Sequence, residues 1–249
     1  MVVQDNKDLL GLMTIGRICR MTLEHMANHL QPGISTKELD EIGAAFLKKH
    51  GAVSAPIMAY KFPGHTCISI NDEAAHGIPS PDRIIQAGDM VNIDVSAVKN
   101  GYWADNGASY AVPPVKPEVE RLLKTTRKAL DLSLEIVRDG VRVYEVGKVI
   151  EPFAHQHGYE VIEELGGHGV GRHIHEKPSI PFYFNKRAKQ KLTEGLVITL
   201  EPFLTLGGRH IKTMPDGWTL KTTDGSLSAQ FEHTIIVTKN EPIIVTALG

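Results

Sequence analysis

Asp94 and Asp105 stand on either side of an Asn100-Gly101 pair, and that arrangement alone can bring two carboxylates together. The segment Met90-Val91-Asn92-Ile93-Asp94-Val95-Ser96-Ala97 alternates strictly. Val91, Ile93, Val95 and Ala97 form an apolar face, while Asn92, Asp94 and Ser96 point the other way. Asn-Gly between such runs is the strongest short-range hairpin signal. A two-residue turn pairs Lys99 with Tyr102, Ser96 with Asp105 and Asp94 with Gly107. Asp94 and Asp105 are then diagonal neighbours on one face, roughly 7–8 Å apart at the backbone. From that separation they can share one or two metal ions, and the glycine opposite Asp94 leaves room for an ion. A lone hairpin of this kind is more often a solvated polar face, so the remaining residues decide.

Three of them do. His168 sits in Gly166-Gly167-His168-Gly169-Val170-Gly171. The spacing is not that of a dinucleotide-binding loop, and the stretch after it, broken by Pro178, is a poor helix entry. The alternative is thin backbone that lets a ligand or ion approach His168. Glu201 closes the apolar run Leu196 to Leu200, and Glu232 lies inside Ala229 to Val237, which reads as a central strand. A carboxylate in such a strand is costly to bury unless it is paired or binds metal. The set is four carboxylates and one imidazole, without thiolate. It suits two divalent ions of the Mn, Fe, Co or Zn kind rather than a structural zinc.

Elements must hold these residues in place. Four segments read as helices: about Asp8 to Leu30, Ser35 to Gly51, a third after Pro117, and Val143 to His157. Ser35 and Glu38 form a capping box at the start of the second. The layout repeats. Gly33, Glu38, His50 and Gly51 are matched by Gly140, Glu145, His157 and Gly158, each 107 residues on. Such a period is too long for a solenoid and points to two similar halves of one domain, about 1–112 and 117–249, joined near Val112-Pro113-Pro114. Strands are expected at Thr66 to Asn71, Asp89 to Val98, Gly101 to Ala111, Tyr159 to Leu165, Leu196 to Pro202, Ser228 to Val237 and Ile243 to Ala247. Pairs of helices between runs of strands predict an α+β fold with an antiparallel sheet.

Composition excludes other classes. The 249 residues carry 27 Lys plus Arg against 29 Asp plus Glu, so there is no chain-wide basic field for nucleic acid or anionic membrane. Cys19 and Cys67 cannot build a disulfide framework. No apolar run nears the roughly 18 residues of a membrane span. Nor does the polar start Gln4 to Asp8 resemble a signal peptide, so a cytoplasmic location is expected.

Taken in order, these residues resemble the bacterial methionine aminopeptidases of the short, type I class, whose fold is nicknamed pita bread. The matching stretches are Cys67-Ile68-Ser69-Ile70-Asn71, His76-Gly77-Ile78-Pro79, Val91-Asn92-Ile93-Asp94, Asp105, Gly167-His168-Gly169-Val170-Gly171, His175-Glu176, Thr199-Leu200-Glu201-Pro202 and Gln230-Phe231-Glu232-His233-Thr234. The resemblance covers essentially the whole chain. It implies pseudo-twofold halves, each with two helices on a curved antiparallel sheet. It implies removal of N-terminal methionine before a small second residue by attack of a metal-bridging hydroxide. Asp94 would chelate one ion, Asp105 and Glu232 would bridge both, and His168 and Glu201 would complete the other site. His76 and His175 would contact the scissile amide and the tetrahedral intermediate, with Glu201 as proton shuttle. Phe62, Cys67, His76 and Trp218 would receive the methionine side chain. Partners would be nascent polypeptides and Met-initiated peptides, with transient ribosome proximity, no required nucleic acid, no membrane and a monomeric state. Ile174, Asn106, Ala59 and Phe62 depart from residues common in relatives and bear on the pocket rather than the ligands. A proline-specific peptidase on the same fold usually carries an extra N-terminal domain, and a metal-free binding module would lack ligands that are all present here.

Overall fold

Asp5 begins the first helix by accepting a hydrogen bond from the Asp8 N–H, which leaves α1 (Asn6–Ala27) to bury Leu12, Ile15, Cys19, Leu23 and Met26. The coordinates are a computed structural model that describes residues 1–248. The Ser35–Glu38 capping box opens α2 (Thr36–Lys49), as the sequence predicts. Next come β1 (Val53–Ser54) and a short helix, α3 (Ala55–Tyr60), which the sequence reading passes over. Six residues are too few to display a helical period. Ser54 caps α3, and Lys61 ends it in the left-handed region at φ 59°.

The chain continues through β2 (Cys67–Ile70), β3 (Glu73–Ala75), β4 (Met90–Lys99) and β5 (Tyr102–Ala111), then α4 (Pro117–Ile136) and α5 (Val143–Gln156). The remaining strands are β6 (Glu160–Val161), β7 (Gly166–Gly169), β8 (Glu176–Pro181), β9 (Val197–Leu200), β10 (Phe203–Thr205), β11 (Ile211–Thr213), β12 (Leu220–Thr222), β13 (Ser228–Gln230), β14 (His233–Ile236) and β15 (Ile243–Ile244). Among the described residues all strand pairs are antiparallel. The architecture is α+β, as expected. Among those residues no helix is long and apolar enough to cross a membrane.

Two sheets carry the site. In one, β4 lies between β2 and β5 and also pairs with β1. The other runs β15-β14-β9-β7-β8. They meet where Ala108 bridges Phe231 and the Glu232 N–H donates to the Gly107 carbonyl at 2.9 Å. Each has its own helices. Leu23 of α1 and Leu39 of α2 pack in a cluster with Val91, Ile93 and Val95 of β4. Leu122 and Leu130 of α4 and Val146 and Ile150 of α5 pack in another with Ile198 and Leu200 of β9 and Ile235 of β14. Removing each such leucine from water stabilises the fold by roughly 1.5–3 kcal/mol. So the apolar faces of β4, β9 and β14 are covered by helices, and their polar residues are left to face one another.

Two local expectations need correction. The glycine run around His168, expected as thin backbone open to a ligand or ion, is a strand, β7. Its glycines make room for neighbouring backbone rather than for a ligand. A Cβ on Gly167 would lie 2.3 Å from the Thr199 carbonyl oxygen, and one on Gly169 would lie 2.3 Å from that of Lys177. Likewise the space at Gly107 is filled by Gln230, whose Oε1 would be 2.4 Å from an added Cβ.

Candidate metal centre

The hairpin register is the one the Asn100-Gly101 turn predicts, with Asp94 opposite Gly107 and Ser96 opposite Asp105. Strand alternation then sends both aspartates off the helix-covered face. Glu201 follows the last residue of β9 and His168 lies in β7 beside it. Glu232 is not in a central strand as expected. It sits in the break between β13 and β14, where the chain crosses from one sheet to the other.

These elements converge. Ligand atoms of Asp105, His168 and Glu232 all lie within 4.8 Å of one another. His168 Nε2 is 3.3 Å from Glu201 Oε1 and 3.8 Å from Asp105 Oδ2. The Asp94 carboxyl is within hydrogen-bonding reach of that of Asp105. All five residues therefore share one site.

Polar neighbours orient them. Thr199 Oγ1 donates to Glu201 Oε1 at 2.8 Å, and Gln230 Nε2 donates to Glu232 Oε2 at 3.1 Å. Asn92 Nδ2 in turn donates to Gln230 Oε1 at 2.8 Å. His168 Nδ1 is 2.9 Å from the Gly169 carbonyl oxygen, which can only accept. The ring hydrogen is thus on Nδ1, and Nε2 presents a lone pair to the carboxylates. Strand alternation already sets Asn92 on the face of Asp94, whereas Thr199 and Gln230 stand in the sequence only within matching stretches. Both stand two residues before an acidic member of the site, so the period of two marks them in retrospect.

Electrostatically the cluster lacks a counter-charge. Asp105, Glu201 and Glu232 are buried, and Asp94 and His168 are half-buried. Burial raises the Asp94 carboxyl to about 6, its hydrogen bond with Asp105 opposing that. Burial, with the Asp94 charge next, pushes Asp105 well above the usual carboxylate range. Glu201 rises mainly through burial, and Glu232 through burial and the charges of Asp105, Glu201 and Asp94. Among the described residues no Lys or Arg forms an ion pair with any of them. Asp105 Oδ1 and Glu232 Oε1 are buried with no hydrogen-bond partner. Two orphaned acceptors in a crowd of like charges, beside an imidazole lone pair, fit a divalent cation.

The centre lies at one side of a cavity of about 870 Å³, which Asp94, Asp105, His168 and Glu201 line. His76, His175, Phe62, Cys67 and Trp218 line it too, so all the pocket and histidine positions expected from the sequence gather there. Phe62 and Trp218 pack edge to face with ring centres 5.2 Å apart. The His175 ring stands at 4.3 Å from that of His168. Burial lowers His76, with the neighbouring His175 adding to it, and burial lowers His175. The turn that carries His175 is gathered by Glu176, whose Oε1 accepts from the Arg172 N–H at 2.7 Å and the His173 N–H at 2.8 Å. Arg172 reaches back to Asp8 of α1 at 2.6 Å and lies over the Tyr102 ring.

Residues 11–239 match the profile of metallopeptidase family M24. The chain belongs to that family. It is 45% identical over its full length, and over the full length of the relative, to methionine aminopeptidase 2 of Bacillus subtilis. The crystal structure of methionine aminopeptidase from Rickettsia prowazekii superposes with a TM-score of 0.94 at 37% identity, covering 99% of this chain and 100% of that one. Prolidase from Pyrococcus furiosus aligns with all of this chain and 66% of its own at a TM-score of 0.80, but at 22% identity it shows the fold alone. The pita-bread fold is therefore shared with proline-specific enzymes, whereas full-length likeness at high identity runs to the methionine aminopeptidases.

Proposed function

We propose that this protein removes N-terminal methionine from peptides and nascent proteins whose second residue is small. The observation that carries the reading is the uncompensated carboxylate–imidazole cluster opening into a cavity with an aromatic wall of Phe62 and Trp218, in a chain similar end to end to a methionine aminopeptidase. Asp94, Asp105, His168, Glu201 and Glu232 would hold two divalent ions, Asp94 on one, His168 and Glu201 on the other, Asp105 and Glu232 on both. Their oxygen and nitrogen donors accept Co, Mn, Fe or Zn. When bound, such ions supply Lewis acidity to water as nucleophile and to the scissile carbonyl.

The chain's own side chains supply the rest. Glu201, whose Oε1 accepts from Thr199, would take a proton from the attacking water and return it to the leaving amine. His175 donates a hydrogen bond to the oxyanion, an interaction worth a few kcal/mol where one donor is well placed. His76 contacts the scissile amide. Phe62, Cys67 and Trp218 close around an unbranched thioether side chain, which suits an apolar, sulfur-lined slot. The whole chain, 1–249, acts as one catalytic domain of two pseudo-repeat halves. We place it in the cytoplasm, as a monomer that meets nascent chains near the ribosome.

Metal-stripped protein titrated with Mn²⁺, Co²⁺, Fe²⁺ and Zn²⁺ should hydrolyse Met-Ala-Ser and leave an Ala-Pro peptide nearly untouched. Faster cleavage of the Ala-Pro peptide would overturn the substrate assignment. Asp105→Ala should abolish turnover with every ion, and retained turnover would overturn the bridging role.

A further inference from the structure

We propose that Tyr60 is a positioning residue that holds His175 in the tautomer with its hydrogen on Nε2. The Tyr60 hydroxyl lies 2.6 Å from His175 Nδ1, and the two rings are 5.6 Å apart. Both residues line the cavity. The phenol is delivered from a fixed element. Tyr60 is the last residue of α3, whose cap Ser54 accepts from the Ile57 N–H and donates to the His65 carbonyl at 2.8 Å. Ala55 and Pro56 bury the other end of that helix. On the opposite side, Glu176 holds the turn that carries His175.

One hydrogen lies between the phenol oxygen and Nδ1, and its owner sets the tautomer. A phenol oxygen shares its lone pair with the ring, so it donates better than it accepts. Burial raises the Tyr60 hydroxyl further, which keeps its proton in place at neutral pH. Tyr60 therefore donates, Nδ1 accepts, and the hydrogen of the neutral imidazole is on Nε2. The contrast with His168 is instructive. There a carbonyl, which can only accept, faces Nδ1 and leaves Nε2 bare. Two histidines with ring centres 4.3 Å apart are thus set in opposite tautomers by their partners, one to offer a lone pair and the other a hydrogen. The oxyanion needs the second. The inference rests on His175 acting as that donor, as proposed above.

The test is a long-range proton–nitrogen NMR spectrum of EDTA-treated, ¹⁵N-histidine-labelled protein, with His175 assigned from His175→Gln. Wild type should show His175 with protonated Nε2 and bare Nδ1. Tyr60→Phe should move it toward a mixture of tautomers. It should also lower kcat on Met-Ala-Ser about tenfold with KM nearly unchanged, the cost of one neutral hydrogen bond. Tyr60→Gln, which keeps a donor, should recover part of both signals, and Met58→Ala on the exposed side of α3 should match wild type. Should Tyr60→Phe not fold, the wild-type spectrum and Tyr60→Gln carry the test. A protonated Nδ1 in wild type would overturn the proposal. So would a Tyr60→Phe protein with unchanged spectrum or unchanged kcat. If wild type fails to cleave Met-Ala-Ser at all, the functional reading falls, while the spectrum still decides the tautomer.

Discussion

Asp94→Asn should make the metal-free protein more stable while making the metal-loaded protein inactive. Burial raises Asp94 from an ordinary 3.8 to about 6. At about 1.4 kcal/mol per pH unit, that difference costs the folded state about 3 kcal/mol once the carboxyl is ionised. The sign follows from proton counts. Between pH 4 and 6 the folded chain holds a proton that the unfolded chain has released, so stability falls as pH rises through this window and levels off above it. Below about pH 4 both states are protonated and the cost vanishes. Asparagine has the same shape and no charge to bury, so it lacks this slope. In EDTA at pH 7.5 the variant should melt roughly 6–12 °C above wild type, given about 2–4 °C per kcal/mol for a domain of this size. At pH 3.5 the two should melt together. Saturating divalent ion should raise the wild-type melting temperature by more than the variant's, which keeps the ligands of one ion, and should restore hydrolysis to the wild type alone. A variant that melts at or below wild type in EDTA at pH 7.5 would refute the idea that this carboxylate is held at a cost only a cation repays.

Two further outcomes are expected. Gly107→Ala places a methyl group 2.4 Å from Gln230 Oε1 and displaces the amide that Asn92 and Glu232 share; apparent metal affinity on titration should fall about 10- to 100-fold, the usual effect of losing an outer partner, and an unchanged titration would sink the assignment of Gln230 as a support for Glu232. Trp218→Ala removes one wall of the aromatic pair with Phe62; KM for Met-Ala-Ser should rise by about tenfold or more with kcat little changed, and a loss confined to kcat would argue against a side-chain pocket at that place.

Much of the site was legible because it depends on short-range rules. The strict alternation of residues 90–97 and the Asn100-Gly101 turn determine the register that sets Asp94 across from Gly107, and the structure keeps it. Ser35 and Glu38 announce α2 by their spacing, and the α1 stripe announces its buried face. The failures have equally local causes. Gly166–Gly169 has no side-chain pattern to betray a strand, since its glycines are there to admit the carbonyls of Thr199 and Lys177. Glu232 lies in a strand break that its apolar neighbours mask. α3 and Tyr60 left no periodic trace.

The sequence by itself determined which residues can meet a cation and which faces they occupy, because strand period, turn chemistry and helix caps act within a few residues of one another. It also carried the family, through motifs spread along the whole chain. Only the tertiary structure decided that Asp94 and Asp105 of one sheet face Glu201 and His168 of the other, with Glu232 at the crossing between them. Only it decided which histidine nitrogen is bare and which carries hydrogen, since those hydrogen bonds join residues from separate elements. The physical reason is that burial and charge crowding, which turn four ordinary carboxylates into a candidate cation site, exist only once distant strands close over the same space.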